Sequence, residues 1–340
     1  MKRLLTALLS LLFFLVPVSG CSSGGNRAHS VTVLAMDTAM DLTVYGDAGF
    51  LDDAEALIRR LERTLSVTDA GSDLYRLNHG QTDTVGVETA GLLLRALELS
   101  AGTDGALDPT VYPIVRAWGF TTGEYRVPDA EEIAGLLPLV GYRAIRVTND
   151  GCVTRPEGAE IDLGAVAKGY TGAQLAKLCR ESGVTGAIFN LGGNVQTVGT
   201  KPDGSLWKIA IADPNGGEGY AGILTVGECA VVTSGGYERY FERDGMIYRH
   251  IMDPSTGYPA QSGLISVTVI GQDGTLCDAL STAIYVMGLD RAIDLWRASE
   301  DFEAILMTET GEIYATEGIA GQFAPSGAYR GREVTVIGRG

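Results

Sequence analysis

The sequence is poor in basic residues, cysteine and histidine, and the first two shortages exclude classes of function. It has 26 lysines and arginines against 42 acidic residues, a formal net charge of −16 at pH 7. A surface with this charge repels nucleic acid and anionic phospholipid, so we expect neither as a partner. The five cysteines form no Cys-x-x-Cys pair, and their spacing predicts neither a disulfide framework nor a zinc site. We therefore expect mostly buried free thiols.

The chain also lacks an apolar run long enough to span a membrane. Lys2 and Arg3 precede the apolar segment 4–18, which is shorter than the roughly 20 residues that a spanning helix needs. A basic start, an apolar middle and a small-residue end are typical of a secretory signal. The run 18–21, Val-Ser-Gly-Cys, resembles a bacterial lipobox.

This pattern predicts three regions. Residues 1–20 form a lipoprotein signal peptide, residues 21–30 a lipidated flexible tether, and residues 31–340 the folded domain. Cys21 would carry the lipid, such as palmitate, and hold the protein at the extracytoplasmic face of a bacterial membrane. The alternative is a soluble secreted protein cleaved near Gly20.

The folded part predicts one compact domain of the α+β class. Helical spacing predicts helices over 51–65, 89–100, 129–137 and 165–179, and β-like runs surround them. Strands and helices mix without βαβ regularity, and no internal repeat or long linker is visible. About 45% apolar residues can build a large core.

The stretch 248–259, YRHIMDPSTGYP, places one of the three histidines at the end of a strand. Pro254 cannot continue a central ladder, and Gly257 is free to adopt a positive φ. His250 therefore lies at the mouth of a tight polar turn, a suitable place for proton transfer or phosphate contact. The plainer alternative is a histidine that caps a hairpin.

Two further segments carry candidate ligands. The run 161–179 changes from strand to helix, with Asp162 at the strand end and Lys168 one turn into the helix, which is a plausible anion site. Asp278 and Thr282 lie at i and i+4 on one helical face. Two hard oxygen donors suit Mg²⁺, which keeps waters or phosphate oxygens in its shell. The alternative is an aspartate at a helix start beside a buried threonine.

Seven ordered blocks resemble the flavin transferases of the ApbE-like family, the FAD:protein FMN transferases once labelled thiamine-biosynthesis lipoproteins. The blocks cover roughly residues 36–290 and read LSVTDAGSDLYRLN, GALDPTVYPIVRAWGF, IDLGAVAKGY, FNLGGN, TSGGYERYF, HIMDPSTGYP and CDALSTA. The resemblance implies an α+β fold that holds FAD with Mg²⁺ at its pyrophosphate. It also implies transfer of FMN onto a threonine or serine hydroxyl of an exported or membrane flavoprotein, with release of AMP.

The resemblance also implies roles for individual residues. His250 corresponds to the probable base, and Ile251 beside it lies against the cofactor. The metal ligands would be the carbonyl of Ala165 with the side chains of Asp278 and Thr282. The flavin nucleotide would be contacted by further residues of the matching blocks: Met36, Thr68, Ala106, Leu107, Asp108, Asp162 and Lys168.

The sequence departs from the family pattern at Asp37, at Thr68 and at Ser255, where Arg or Lys is common, and it leaves the mechanism open. Asp37 replaces the usual glycine, and Thr68 stands where many members have a tyrosine that stacks on the nucleotide. A histidine near its ordinary pKa of about 6.5 could accept the acceptor proton, and Asp253 is the alternative base. A Mg²⁺-dependent FAD pyrophosphatase and a non-catalytic FAD-binding lipoprotein remain alternative functions.

Overall fold

The computed structural model describes residues 27–216 and 219–340. The predicted signal peptide, Cys21 and the tether up to residue 26 lie outside the described residues. The helices of the described part are α1 Phe50–Leu65, α2 Asp73–Asn78, α3 Val87–Gly102, α4 Tyr112–Ala117, α5 Ala130–Leu136, α6 Gly164–Glu181, α7 Gly274–Met287, α8 Leu289–Arg297 and α9 Glu317–Ala320. None of them is long and apolar enough to cross a membrane.

The strands fall into one large sheet and three small ones. In chain order they are β1 Ala28–Ala35, β2 Thr38–Tyr45, β3 Arg146–Val147, β4 Val153–Thr154, β5 Gly186–Asn190, β6 Asn194–Gly199, β7 Trp207–Ala212, β8 Tyr220–Val226, β9 Ala230–Gly235, β10 Tyr240–Arg243, β11 Met246–Arg249, β12 Leu264–Gly271, β13 Phe302–Thr308, β14 Ile313–Thr316, β15 Phe323–Pro325 and β16 Val334–Ile337. Among the described residues the large sheet has nine strands in the order β1-β2-β5-β6-β9-β12-β13-β14-β16. The smaller sheets are β15-β8-β7, β10-β11 and β3-β4.

The centre of the large sheet is buried on both faces, as the side-chain alternation of β13 shows. On β13, Ala304 and Leu306 face a core that includes residues of α7 and α8. Ile305 and Met307 between them face the opposite core, which β7 and β8 complete. Because successive side chains of a strand point to opposite faces, this alternation places the sheet between a helical layer and the small β15-β8-β7 sheet. The fold is therefore α+β, as predicted.

The helices form where the apolar spacing predicts them, with shifted ends. α1 buries Leu51, Ala54, Ile58, Leu61 and Leu65 on one stripe, and its acidic residues favour the first turn. α5 starts after Asp129, whose side chain accepts a hydrogen bond from the Glu132 amide. α3 and α6 extend beyond their predicted ends at both termini.

One predicted boundary needs correction. The domain begins before residue 31, because β1 starts at Ala28 and pairs with β2 from there on, so residues 28–30 belong to the sheet. The two-residue strands β3 and β4 pair as a short antiparallel hairpin. The four described cysteines are free thiols, three of them buried, as expected.

The two-stranded hairpin β10–β11, residues 240–249, pairs with no other strand in the part of the chain that the structure describes. We call it the mouth hairpin. Its cross-strand partners Phe241 and Tyr248 stack with ring centroids 5.1 Å apart, and both pack on a small core around Trp118. His250 follows it directly, so the hairpin carries this histidine to the candidate site.

Candidate active site

One cavity of about 900 Å³ brings together the residues predicted for catalysis, cofactor and metal, apart from the alternative base Asp253. It lies between the β1–β2 turn, the loop before α4, the start of α6, the middle of α7 and the ends of the mouth hairpin. The predicted residues on its wall are Met36, Thr68, Ala106, Leu107, Asp108, Asp162, Ala165, Lys168, His250, Ile251, Asp278 and Thr282. Residues more than 200 positions apart in the sequence therefore line the same cavity.

The crossing of α6 and α7 forms the cavity floor, which we define as Ala165, Lys168, Gly169, Asp278 and Thr282. The two helices touch through backbone at Gly169, where an added Cβ would lie 2.1 Å from the Gly274 carbonyl oxygen and 2.6 Å from the Asp278 Cβ. The Gly169 amide donates to Asp278 Oδ2 at 2.7 Å. Only glycine allows this approach, so Gly169 fixes the Asp278 carboxylate.

Asp278 is 5% exposed, and its protonation is set by that burial. Burial raises the pKa of its carboxyl to about 6, and the Lys168 ammonium and the Gly169 amide partly offset the increase. A buried carboxylate whose charge is only partly compensated is a strong ligand for a cation.

The donor set around Asp278 fits a hard divalent cation. In a regular helix the Gly169 amide donates to the Ala165 carbonyl, so its bond to Asp278 makes that carbonyl share or lose its usual donor. Thr282 Oγ1 lies 3.4 Å from Ser234 Oγ, a weak contact. Asn194, 1% exposed and on the cavity wall, lies beside the Asp278 carboxylate and lowers its pKa, although neither side-chain polar atom of Asn194 makes a hydrogen bond of regular geometry.

The protein supplies too few of these oxygen donors to fill the coordination shell of a metal ion by itself. No group of three or more His, Cys, Asp or Glu side chains within 27–216 and 219–340 could hold a metal ion. Carboxylate, hydroxyl and carbonyl oxygens with open positions suit Mg²⁺, which retains water or takes phosphate oxygens.

The start of α6 presents the Lys168 ammonium to the cavity. Asp162 Oδ1 accepts from the Gly164 amide at 2.9 Å, which fixes the turn into the helix. Burial raises the pKa of the Asp162 carboxyl, and its hydrogen bond from Gly164 opposes the increase. Lys168 Nζ donates to the Gly192 carbonyl at 3.3 Å, so its ammonium is held at the wall. This end of the cavity suits an anion.

His250 is held by the backbone of the residue that precedes the mouth hairpin. Its amide donates to the Arg239 carbonyl at 3.1 Å, and its Nδ1 lies 3.2 Å from the same oxygen. A carbonyl can only accept, so this contact favours the proton on Nδ1 and leaves the Nε2 lone pair free.

The expectation of an ordinary pKa for His250 is wrong. Although part of the ring faces the open cavity, the surrounding protein lowers its pKa to about 4, and the Arg239 and Lys168 charges add to the decrease. The ring is therefore neutral at pH 7 and able to accept a proton, although it is a weaker base than a free imidazole.

The alternative base Asp253 is absent from the described cavity wall. Its Oδ1 accepts from the Ser255 amide at 2.8 Å and from the Ser255 hydroxyl at 2.7 Å. Its carboxylate closes the turn that the sequence predicted there.

Some of the residues predicted to contact the nucleotide are exposed, and others are buried or hold the loop in shape. Met36 and Asp37 form the β1–β2 turn with φ values of 49° and 59°, so the departure from glycine at 37 keeps a left-handed backbone. Thr68 is exposed, whereas Ala106 and Leu107 are buried. The Asp108 carboxylate accepts from Thr110 and from the Tyr142 amide, so it shapes the loop.

Sequence reasoning missed three polar residues on the same wall: Asn194, Glu238 and Arg239. Each lies inside a matching block, FNLGGN or TSGGYERYF, but has no regular spacing that would mark it. Arg239 Nη2 lies 3.8 Å from Asp37 Oδ2 across the mouth. Although Glu238 is exposed at the cavity, the surrounding protein raises the pKa of its carboxyl, and the Lys168 charge opposes this increase.

Comparisons with known proteins identify one family over most of the chain. The model of the ApbE family matches residues 36–306. A Klebsiella pneumoniae protein named FAD:protein FMN transferase is 33% identical over 307 residues, covering 88% of this chain and 95% of its own length. A Treponema pallidum protein of the same name is 31% identical, covering 88% of this chain and 91% of its own. The crystal structure of the ApbE protein from Thermotoga maritima superposes with a TM-score of 0.80 at 34% identity, covering 86% of this chain and 98% of that one.

Proposed function

This chain belongs to the ApbE family, an enzyme family of flavin transferases, and on that premise we propose the reaction that its cavity carries out. It transfers FMN from FAD to the hydroxyl of a threonine, or a serine, in a flavoprotein acceptor, and it releases AMP. The reaction depends on Mg²⁺. The acceptor is an exported or membrane flavoprotein.

The observation that carries the proposal is that one cavity holds both charged groups for binding phosphates and a neutral histidine that can accept a proton. The buried Asp278 carboxylate and the Lys168 ammonium lie at the floor, and the neutral His250 lies at the mouth. Phosphoryl-group transfer needs charge neutralisation and positioning at the phosphates and a base at the attacking oxygen. The wall supplies both, at separate ends.

At the floor, Asp278, Thr282 and the Ala165 carbonyl would hold the Mg²⁺ ion. When bound, the ion neutralises the pyrophosphate and stabilises the leaving phosphate. The Lys168 ammonium binds the pyrophosphate from the protein side. Gly169 keeps the carboxylate fixed, so little reorganisation accompanies the reaction.

At the mouth, His250 Nε2 accepts the proton of the acceptor hydroxyl. The hydroxyl oxygen forms a bond to the phosphorus of the FMN half, and the bond between that phosphorus and the bridging oxygen breaks. The AMP half departs with the bridging oxygen and its electron pair. The Arg239 carbonyl holds Nδ1 and so orients the ring during proton transfer.

The test is to mix the protein, FAD, Mg²⁺ and a candidate acceptor. We expect flavin fluorescence on the acceptor band that survives denaturing electrophoresis, and its loss when Mg²⁺ is chelated. AMP and FMN without labelled acceptor would indicate the pyrophosphatase. FAD binding without any product would indicate a non-catalytic carrier.

We also propose that Cys21 is lipidated, because Val-Ser-Gly precedes it and a Ser/Gly-rich segment follows it. The lipid would hold the enzyme at the extracytoplasmic face of a bacterial membrane, close to its acceptor. Cys21→Ser should move the protein from the membrane fraction to the soluble fraction. Membrane association of the Ser variant would refute the anchor.

A further inference from the structure

The exposed apolar residues of the molecule concentrate around the mouth hairpin. Ten large hydrophobic side chains are exposed among the described residues, and three of them, Tyr240, Met246 and Ile247, belong to the hairpin. Tyr125 and Tyr258, which pack on its aromatic residues or on Trp118, are two more. Half of the exposed large hydrophobics thus lie on one structural unit. Such concentrations mark interaction surfaces.

The hairpin is continuous with the active site at both of its ends. Arg239 precedes β10 and His250 follows β11, and both line the cavity. The His250 ring lies 6.3 Å from the Phe120 ring, which also lines the cavity, and Phe120 lies 5.7 Å from Phe241 of the hairpin. A polypeptide that lies along the hairpin as far as its base therefore comes next to the proposed base His250.

The two faces of the hairpin are unequal. Phe241 and Tyr248 occupy one face and pack on Trp118, so the inner half of that face is covered. Tyr240 and Ile247 lie on the other face, where they are 52% and 56% exposed. On that second face, Arg249 pairs with Glu309, which fixes the base of the hairpin to the body of the protein.

The hairpin also has free backbone edges. Within the described residues β10 and β11 pair only with each other, so the outer edge of each strand keeps unpaired N–H and C=O groups. Such edges accept an extended polypeptide as an additional strand. Four residues of strand span roughly 13 Å, enough to pair with a short segment.

We propose that the mouth hairpin is the docking element for the acceptor flavoprotein, and that it binds an extended acceptor segment next to the target hydroxyl. The inference rests on the proposed transfer function, because only that reaction requires a protein as second substrate. The occupant is identified by continuity: a polypeptide whose hydroxyl reaches His250 must cross the mouth.

The charges of the hairpin favour this occupant over a membrane surface. Glu242, Arg243 and Asp244 at its tip mix both signs, and the chain as a whole has a net charge of −16. Anionic lipid would be repelled, whereas apolar side chains with mixed charge suit a protein segment. A second copy of this chain remains an outcome of the test.

The test compares the double variant Met246→Ser/Ile247→Ser with the control Val336→Ser. Val336 lies on β16, at the far edge of the large sheet, and is 56% exposed, as are Met246 and Ile247. We expect the double variant to raise the KM for the intact acceptor at least about tenfold, since truncation of central interface residues commonly weakens binding by this much. FAD affinity, the transfer rate at saturating acceptor and the melting temperature should match those of the control.

The single variants Ile247→Ser and Met246→Ser then show which face of the mouth hairpin the acceptor contacts. A larger increase in KM for Ile247→Ser than for Met246→Ser places the acceptor on the uncovered face, and the reverse places it on the tip above the aromatic stack. Either result supports docking.

An acceptor KM equal to that of the Val336 control overturns the proposal. A change only in the oligomeric mass also overturns it, because it would identify a second copy of the chain as the occupant. If the unmodified enzyme transfers no flavin to the acceptor, the proposed function itself fails.

Discussion

At the cavity floor, α6 and α7 touch through backbone and Asp278 is almost completely buried, whereas the mouth hairpin is exposed along most of its length. The floor leaves no room for a methyl group at Gly169, while the hairpin tip has open space at Gly245. A tightly packed site holds charges in fixed positions, and an open one can fit a partner. We infer that the floor serves the nucleotide and the mouth serves the acceptor.

The two regions also differ in how the protein shifts proton affinity. At the floor, burial raises the pKa of Asp278 to about 6. At the mouth, burial and the Arg239 charge lower the pKa of His250 to about 4. Both shifts favour the neutral form of the side chain. Only Asp278, however, regains its negative charge when a cation binds to it. Variants of each region should therefore fail in different ways.

The largest expected effect is at the floor, for Asp278→Asn. The variant should keep the fold, because its side-chain oxygen can still accept from the Gly169 amide, but it should lose most Mg²⁺-dependent transfer since a charged ligand is gone. FAD affinity measured against Mg²⁺ concentration should become flat. Normal activity at limiting Mg²⁺ would show that the ion binds elsewhere.

The same variant tests the pKa of Asp278 without any activity assay. A folded-state pKa raised above the ordinary value contributes stability that is present below about pH 4 and is lost as pH rises through about 6. Without metal, the stability of the Asn variant minus that of its parent should therefore be more favourable at pH 8 than at pH 4. Equal pH profiles of the melting temperature would contradict the burial of this charge.

The next largest effect is at the mouth, for His250→Ala. Loss of a general base costs about 10²- to 10⁴-fold in rate, and we expect this loss at saturating FAD with nearly unchanged FAD affinity. Because His250 is neutral above about pH 4, the unmodified enzyme should show no imidazole ionisation between pH 5 and 8 at saturating Mg²⁺. Asp253→Asn is the control and should transfer normally. A normal saturated rate for the Ala variant would remove His250 from the mechanism.

A smaller effect is expected from the contact between the helices. Gly169→Ala should lower the free energy of unfolding by about 1–3 kcal/mol, the usual cost of overpacking, and should weaken Mg²⁺ binding as Asp278 moves. Gly91→Ala is the matched control in α3, where an added Cβ meets nothing within 4 Å. It should stabilise by about 0.5–1 kcal/mol. Denaturant titration measures both, and similar values would mean that the crossing tolerates a methyl group.

The smallest effect is expected in the β1–β2 turn at the mouth. Asp37→Gly relieves a φ of 59° but adds chain entropy, so the net change in stability should stay within about 0.5 kcal/mol. Asp37→Val, β-branched at the same φ, should cost about 1–2 kcal/mol. Thermal unfolding distinguishes the two, and equal stabilities would mean that the turn relaxes out of its left-handed conformation.

The sequence predicts the floor well where its signals are local. The i, i+4 pair of Asp278 and Thr282 and the strand-to-helix turn at Asp162 follow from spacing alone, and family resemblance adds the carbonyl of Ala165. The approach of Gly169 to Gly274 joins residues far apart in the chain, and no periodicity marks it. Asn194 escapes for the same reason: it lies far from Asp278 in the chain, and only the fold brings the two side chains together.

The mouth is less predictable because its properties depend on surroundings. The sequence places His250 at a strand end, as the structure confirms, but its pKa depends on burial and on Arg239, which only the fold brings near. The role of Asp253 was open for a similar reason, since its hydrogen bonds to Ser255 depend on turn geometry. The β1 strand starts earlier than predicted because pairing with β2 holds residues with weak propensity.

The most direct test of the division between floor and mouth is the ratio of AMP released to FMN bound covalently to the acceptor, measured in one reaction with FAD and Mg²⁺. We predict one AMP for each FMN in the unmodified enzyme. The Met246→Ser/Ile247→Ser variant should lower both products together at limiting acceptor and restore both at saturating acceptor. AMP that accumulates without covalent FMN, in the unmodified enzyme and at saturating acceptor, would contradict the account and show that water takes the place of the acceptor hydroxyl.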